Sequence, residues 1–257
     1  MQNLNVSLVQ TSLFWEDTTA NLQHFDAKLG ECASQSDLVL LPEMFNTGFT
    51  MNTAKCAETM DGETVNWMLS KSIQFNTAIG GSVIIRQGSS VFNRFIMTSS
   101  DGKIQHYDKR HLFRMGDEHL HFTAGDKRAL FNLNGWKLCP QVCYDLRFPV
   151  WSRNNSEYDV LIYVANWPKI RSSHWQKLLQ ARAIENQCYV LAVNRIGQDG
   201  HQTKHNGCSG VIDYMGEWQS QNKNDEVCLK GELNMSDLDL WRKKFPVNDD
   251  ADSYSIS

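Results

Sequence analysis

Three residues with reactive side chains lie far apart in the chain, and each follows a short predicted strand. Glu43 ends the run LVLLPE, Lys109 follows GKIQHY after one residue, and Cys143 ends WKLCPQVC. Functional groups collect at strand ends in layered α/β proteins. A thiol attacks a carbonyl as the thiolate, which a neighbouring ammonium stabilises and a carboxylate can generate by accepting the proton. The three residue types together predict an acyl-transfer site.

Each of these residues also has a structural explanation when taken alone. A carboxylate at a strand end commonly caps or faces solvent, a lone lysine is usually solvated, and a single cysteine usually packs as a small hydrophobe. As a set, however, they divide the work of amide hydrolysis. The ammonium of Lys109 and the backbone N–H of Tyr144 can stabilise a tetrahedral oxyanion. Glu43 can carry the protons of the leaving ammonia and of the attacking water.

The elements that must position these residues are typical of an α/β protein. Continuous apolar runs predict strands over residues 4–10, 37–43, 77–85, 159–166 and 188–194. Helical spacing of apolar residues predicts helices over 18–34, 64–75 and 172–187, the last with Ser172 or Ser173 as its cap. The pair Asn134-Gly135 predicts a tight hairpin, so the sheet is expected to be mixed.

Composition excludes several classes of function. The chain has 257 residues, with 25 Lys and Arg against 29 Asp and Glu, and this net charge of -4 argues against a nucleic-acid partner. Seven cysteines are scattered without a Cys-x-x-Cys pair, which predicts free thiols. No signal peptide or membrane-spanning run is evident, so we expect a cytoplasmic protein. Five prolines and no linker predict one domain over 1–257, with an acidic tail from about residue 247.

Four motifs resemble the signatures of the nitrilase superfamily of carbon-nitrogen hydrolases: LPEMFNTGF, YDKRHLF, CYDLRFP and ARAIENQCYV. The resemblance implies an α-β-β-α sandwich with two mixed six-stranded sheets, a homodimer joined through helices, and no cofactor. It also implies that Glu43 is the general base, Lys109 the oxyanion stabiliser and Cys143 the nucleophile. Glu118 is similar in position to a second glutamate that the family often has, although a surface charge in an acidic loop is the alternative.

Other residues are candidates for the pocket around this site. Asn166 and Trp167 end a predicted strand, and Arg171 or Lys169 can grip a charged substrate end. Aromatic side chains that can line the cavity are those of Phe45, Phe113 and Tyr144. Arg147 can clamp a carboxylate, but we favour a structural role for it in the nucleophile loop. His106, His111, His119 and His121 invite a metal site, yet no cysteine or spaced acidic pair completes one, and we expect no metal.

Within the superfamily, the chain resembles most closely the omega-amidase branch. Its members hydrolyse the terminal amide of 2-oxo dicarboxylic acid monoamides, such as 2-oxoglutaramate and 2-oxosuccinamate, through a cysteine thioester. The small-molecule amide is then the partner, without nucleic acid or membrane. Two alternatives stay open: another amidase, carbamoylase or nitrilase on the same scaffold, or a binding protein that has kept the fold without turnover.

Overall fold

Two mixed β-sheets stack face to face and carry helices on their outer surfaces. The computed structural model describes residues 3–252 and 255. The strands are β1 Leu4–Gln10, β2 Leu38–Leu40, β3 Ala78–Gln87, β4 Ser90–Thr98, β5 Ile104–Asp108, β6 Phe131–Leu133, β7 Trp136–Val142, β8 Val160–Ala165, β9 Tyr189–Asn194, β10 Ile196–Gln198, β11 Lys204–Ile212, β12 Trp218–Lys223 and β13 Val227–Leu233. The α-helices are α1 Thr18–Cys32, α2 Thr53–Cys56, α3 Glu63–Phe75, α4 Glu118–His121, α5 Pro149–Ser152, α6 Ser172–Asn186 and α7 Met235–Lys244.

The two sheets have similar topology. The first sheet has the order β13-β1-β2-β3-β4-β5, with parallel pairing between β1, β2 and β3 and antiparallel pairing elsewhere. The second has the order β10-β11-β9-β8-β7-β6, with β7, β8 and β9 parallel, and β12 pairs with β11 as a seventh strand. Each sheet therefore has a parallel centre, and the carboxyl ends of its parallel strands open on one edge.

Alternating side chains of the central strands build the layers. Leu38 and Leu40 of β2 point into the core between the sheets, whereas Val39 packs under α1 and α3. In β8, Ile162 belongs to the core between the sheets, and Tyr163 packs under α6. The strands read as continuous apolar runs because both of their faces are buried. This arrangement confirms the predicted α-β-β-α sandwich.

The predicted hairpin is present between β6 and β7. Asn134 and Gly135 have φ values of +50° and +85°, which a two-residue turn matching the strand twist requires. The predicted cap of α6 is wrong, because Arg171 occupies the cap position and no side chain caps the first turn. Instead, the Ser172 hydroxyl contacts the thiol of Cys208, 3.2 Å away.

The acidic tail is only partly within the described chain. Val247–Asp250 forms a single 3-10 turn after α7. Residues 253–254 and 256–257 of the predicted tail, like residues 1–2 of the predicted domain, lie outside the described residues. Among residues 3–252, no helix combines the length and the apolar character that crossing a bilayer needs.

Candidate active site

The three predicted reactive residues converge at the carboxyl-end edge of the sheets. Glu43 follows β2, Lys109 follows β5, and Cys143 follows β7. The Lys109 ammonium donates a hydrogen bond to Oε1 of Glu43 at 2.9 Å, and both side chains are fully buried. The thiol of Cys143 lines the same cavity as Glu43 and Lys109, is close enough for both charges to act on it, and is partly exposed. Residues from both sheets thus meet in one cluster.

Glu118 belongs to the same cluster and is not a surface charge. It begins the short helix α4, is fully buried, and accepts hydrogen bonds from Lys109 on both carboxylate oxygens at 2.9 Å. The amide of Asn93, on β4, donates to Glu43 at 2.8 Å and to Glu118 at 3.0 Å. The backbone N–H of Phe113 donates to Glu118 at 2.6 Å. Two carboxylates therefore share one ammonium and one amide.

The charge state of the lysine follows from this pairing. Burial alone disfavours an ammonium, but the carboxylates of Glu118 and Glu43 outweigh it and raise the pKa of Lys109 above its ordinary value. Burial and the nearby Glu43 raise the pKa of Glu118, with Lys109 opposing them. Lys109 is consequently a permanent cation beside the thiol.

Cys143 differs from the expectation of a resting thiolate. Burial and the negative charge of Glu43 raise the pKa of Cys143 well above that of an ordinary thiol, although Lys109 acts in the opposite direction. The sulfur is therefore protonated at rest, next to a carboxylate that can accept its proton.

The backbone at the nucleophile is held in an unusual conformation. Cys143 has a φ of +44°, in the left-handed region that side chains rarely adopt. The buried carboxylate of Asp145 secures this turn by accepting hydrogen bonds from the Val142 N–H at 3.0 Å, the His111 N–H at 2.9 Å and the Tyr107 hydroxyl at 2.8 Å. Asp145 therefore braces this loop.

A cavity of about 480 Å³ opens above the thiol, which is the size of a small-molecule site. Its walls include the predicted residues Phe113, Tyr144, Asn166, Trp167 and Arg171. The Asn166 backbone N–H also donates to Oε2 of Glu43 at 2.8 Å. Asn166 thereby orients the carboxylate that faces the thiol.

Two guanidinium groups stand in the cavity wall. Arg147 lies over the Trp167 ring at 4.7 Å, and Arg171 lies over the Phe113 ring at 5.5 Å. Burial, reinforced by the charge of Arg147, lowers the pKa of Arg171. The two cations are close enough to repel one another, so an anion between them would be stabilised.

Two predicted lining residues lie elsewhere. Phe45 is buried in the core under α1, where it packs edge-on against Phe25 at 5.3 Å, because its side chain faces the outer helices. Lys169 is exposed in the 3-10 turn before α6, outside this cavity. Both expectations are wrong, because position along the chain does not fix which way a side chain points.

The histidines do not form a metal cluster. In the described part of the chain, no group of three or more His, Cys, Asp or Glu side chains has the arrangement that a metal ion needs. His111 instead donates to or accepts from Asp145 at 2.7 Å and stacks on Phe148 at 3.8 Å. Burial, with the charge of Arg195, lowers the pKa of His205 in the cavity wall to about 4, so this imidazole is neutral.

Two residues of the site had no predicted role in it: Asn93 and Asp145. Asn93 is a fully buried polar residue in the strand SVFNRFIMT, and a buried amide needs hydrogen-bond partners. Asp145 is part of the CYDLRFP motif, but only the fold shows that it accepts hydrogen bonds from two other segments. Arg147 was expected to brace the loop, and it faces the cavity.

Comparison with known proteins agrees with this geometry. The carbon-nitrogen hydrolase family matches residues 5–243. The chain is 47% identical to "Omega-amidase YafV" of Escherichia coli strain K12 over the full length of both proteins. It is 32% identical to "2-oxoglutaramate amidase" of Bacillus subtilis, covering 95% of this chain and 96% of that one.

A solved structure is similar over its whole length as well. It is XC1258 of Xanthomonas campestris, described as a CN-hydrolase superfamily protein with an arsenic adduct in the active site. The TM-score is 0.98 and the sequence identity is 44%, with 100% of both chains covered. The match of sequence, fold and site over essentially the entire chain establishes that the protein belongs to the carbon-nitrogen hydrolase family.

Proposed function

We propose that this protein is an omega-amidase, which hydrolyses the terminal amide of 2-oxo dicarboxylic acid monoamides such as 2-oxoglutaramate and 2-oxosuccinamate. The relatives named for omega-amidase and 2-oxoglutaramate amidase activity support the reaction. The pair of arginines in the cavity wall carries the substrate class. A monoamide of this type has an anionic end, and guanidinium groups bind carboxylates with directed hydrogen bonds.

Acylation would begin with Glu43 accepting the proton of the Cys143 thiol. The sulfur attacks the amide carbon, and the C–N bond stays intact until the tetrahedral oxyanion has formed. Lys109 and the Tyr144 N–H stabilise this oxyanion. The protonated Glu43 then gives its proton to the leaving nitrogen, the C–N bond breaks, and ammonia departs from a thioester.

Deacylation would use the same groups a second time. Glu43 accepts a proton from water, and the hydroxide attacks the thioester carbon. The C–S bond then breaks, the 2-oxo acid leaves, and Glu43 returns its proton to the sulfur. Glu118 and Asn93 contribute by holding Glu43 and Lys109 in register, which their shared hydrogen bonds support.

Removing the positive charge of Arg171 tests whether the substrate has an anionic end. We expect Arg171→Met to raise KM for 2-oxosuccinamate at least about tenfold, a loss of about 1.4 kcal/mol of binding, with a smaller change in kcat. A neutral amide of similar length should be hydrolysed equally by Arg171→Met and the unmodified enzyme. Lys169→Met is the matched control, because Lys169 is a nearby cation outside the cavity. Equal losses on charged and neutral amides would contradict the carboxylate role.

The alternatives are separated by ammonia release from three substrates. 2-Oxoglutaramate should exceed a simple nitrile and an N-carbamoyl amino acid in kcat/KM by at least about tenfold. A higher kcat/KM for either competitor would reassign the enzyme to another branch of the scaffold. Absence of turnover on all three, with an intact thiol, would favour a binding protein.

We further propose that the enzyme is a cytoplasmic homodimer, joined through its outer helices. Exposed apolar side chains on and next to α6 and α7 support this interface: Ile184, Met215, Leu240 and Phe245 are each more than half exposed. The seven free thiols support the cytoplasmic location, because thiols stay reduced in that compartment. Sedimentation velocity should give a dimer, and Leu240→Glu should shift it toward monomer. A monomer at all concentrations in the unmodified protein would contradict the proposal.

A further inference from the structure

Two cysteines that the proposed reaction does not use lie beside each other on the outer face of the first sheet. Cys32 is the last residue of α1, and Cys228 lies in β13, the edge strand of the sheet. Cys32 is 1% exposed and Cys228 is partly exposed. The pair therefore has one thiol inside the protein and one that solvent reaches.

The two sulfur atoms share a single hydrogen-bond acceptor. Sγ of Cys32 donates to the backbone carbonyl oxygen of Lys28 at 3.4 Å, and Sγ of Cys228 donates to the same oxygen at 3.6 Å. The two thiols are also close enough to affect each other's ionisation. A disulfide bond is about 2 Å long and needs neighbouring side chains that face each other. Because both sulfur atoms lie within 3.6 Å of one oxygen atom, the two side chains face the same point.

The surroundings distinguish the roles of the two thiols. The hydrogen bond from Cys228, opposed by burial, lowers the pKa of the Cys32 thiol below its ordinary value. The same hydrogen bond, with burial, raises the pKa of Cys228. The Cys32 thiol therefore ionises more easily than the Cys228 thiol, whereas the Cys228 side chain is more exposed to solvent.

We propose that Cys32 and Cys228 are an oxidation site that closes to an intramolecular disulfide in the folded protein, with a low-molecular-weight disulfide such as oxidised glutathione as oxidant. The bond would tie the end of α1 to the edge strand β13 and close a loop over residues 33–227. In a reducing compartment the pair rests as two thiols, as it does in this structure.

The reaction proceeds by two thiol–disulfide exchanges. Cys228 reacts first because solvent reaches its sulfur. Its sulfur attacks one sulfur of oxidised glutathione, whose S–S bond breaks, and the released glutathione thiolate takes up the proton of Cys228. The Cys32 thiolate then attacks the Cys228 sulfur of this mixed disulfide and expels the second glutathione thiolate. The protein loses two electrons to one molecule of oxidised glutathione, and the two protons end on the released glutathione.

The test uses the full-length protein with Cys143→Ala, which removes the thiol of the catalytic cluster from the reaction. After incubation with oxidised glutathione, intact mass should fall by two hydrogen atoms, and peptide mapping should join the segments that contain Cys32 and Cys228. Loop closure should raise the unfolding midpoint by about 5–10 °C, reversibly on reduction.

Separate Cys32→Ser and Cys228→Ser variants in the same background should lose both the mass decrease and the rise in unfolding midpoint. Cys56→Ser is the matched control, because Cys56 is another nearly buried cysteine outside the pair, and it should behave as the parent does. If the parent carries only glutathione adducts, or if the disulfide forms only in denaturant, the proposal is overturned. A different pairing of cysteines in the peptide map overturns it as well.

Discussion

At the scale of residues, two different side chains supply the positive charge and accept the thiol proton. Lys109 is the cation, and Glu43 is the base. Lys109 remains charged because two carboxylates surround it, whereas Cys143 stays protonated because burial and Glu43 disfavour a second anion. The sulfur becomes nucleophilic only when its proton moves to Glu43.

The role of Cys143 as the nucleophile is tested by comparing it with Cys139, a second cysteine four residues earlier. Cys143→Ala should lower kcat for 2-oxoglutaramate at least about 1,000-fold, because no other group can form the thioester. Cys139→Ala, which removes the fully buried thiol four residues earlier, should keep kcat within about threefold. Ammonia release under saturating substrate measures both. Retained turnover in Cys143→Ala would exclude the proposed mechanism.

The pKa of Cys143 leads to a second prediction, on Glu43→Gln. Hydrolysis should fall at least about 100-fold, because the base is lost. Alkylation of Cys143 by iodoacetamide at pH 7 should become faster, since removing the carboxylate lowers the thiol pKa beside Lys109, at about tenfold more thiolate per pKa unit. Rates of alkylation from pH 6 to 10 measure the midpoint directly. Slower alkylation in Glu43→Gln would contradict the assigned cause.

At the scale of elements, the turn after β7 decides where the thiol stands. The positive φ of Cys143 is maintained by the carboxylate of Asp145, which ties this turn to the segment that follows β5. That segment also contains Lys109. One buried aspartate therefore couples the position of the nucleophile to that of the oxyanion stabiliser.

We predict that Asp145→Asn lowers kcat about 10- to 100-fold with little change in KM, because an amide cannot accept all of these hydrogen bonds and the thiol shifts. Asp159→Asn is the control for stability alone, since Asp159 accepts from the Lys137 N–H at 3.0 Å, far along the strand from the site. It should reduce the unfolding midpoint while kcat at 25 °C stays near that of the parent. Equal kcat losses in both variants would mean that Asp145 acts only through stability.

At the scale of the whole molecule, the two sheets share one apolar core. Residues of β1, β2 and β4 pack there against residues of β7, β8 and β9. The reactive residues come from both sheets, with Glu43 and Lys109 on the first and Cys143 on the second. We therefore propose that the chain is a single domain and that its site forms only when the sheets dock.

A core substitution tests this proposal. Leu191→Ala, in the layer between the sheets, should cost about 2–5 kcal/mol of unfolding free energy. Circular dichroism and tryptophan fluorescence should still report one coincident transition. Ile73→Ala on α3, where the side chain is mostly exposed, should stay within about 0.5 kcal/mol of the parent. Two separated transitions in Leu191→Ala would indicate two domains.

The sequence alone determined the elements and the kind of chemistry. Runs such as DVLIYVAN could only be buried strands in this context, because both faces of a covered parallel strand are apolar. The Asn134-Gly135 turn followed from its need for two positive φ values. Glu43, Lys109 and Cys143 together predicted acyl transfer, and the motifs around them resembled the signatures of carbon-nitrogen hydrolases.

Only the tertiary structure decided which way the side chains point and whether the Cys143 thiol is protonated. Phe45 follows a strand end like Trp167, yet one side chain enters the core and the other the cavity, and no local spacing distinguishes them. Arg147 lies in the cavity wall. Asp145 braces the turn because it accepts hydrogen bonds from a segment that lies far away in the chain. The protonated state of Cys143 depends on summed burial and charge in three dimensions, because electrostatic energy follows distance in space and not separation along the chain.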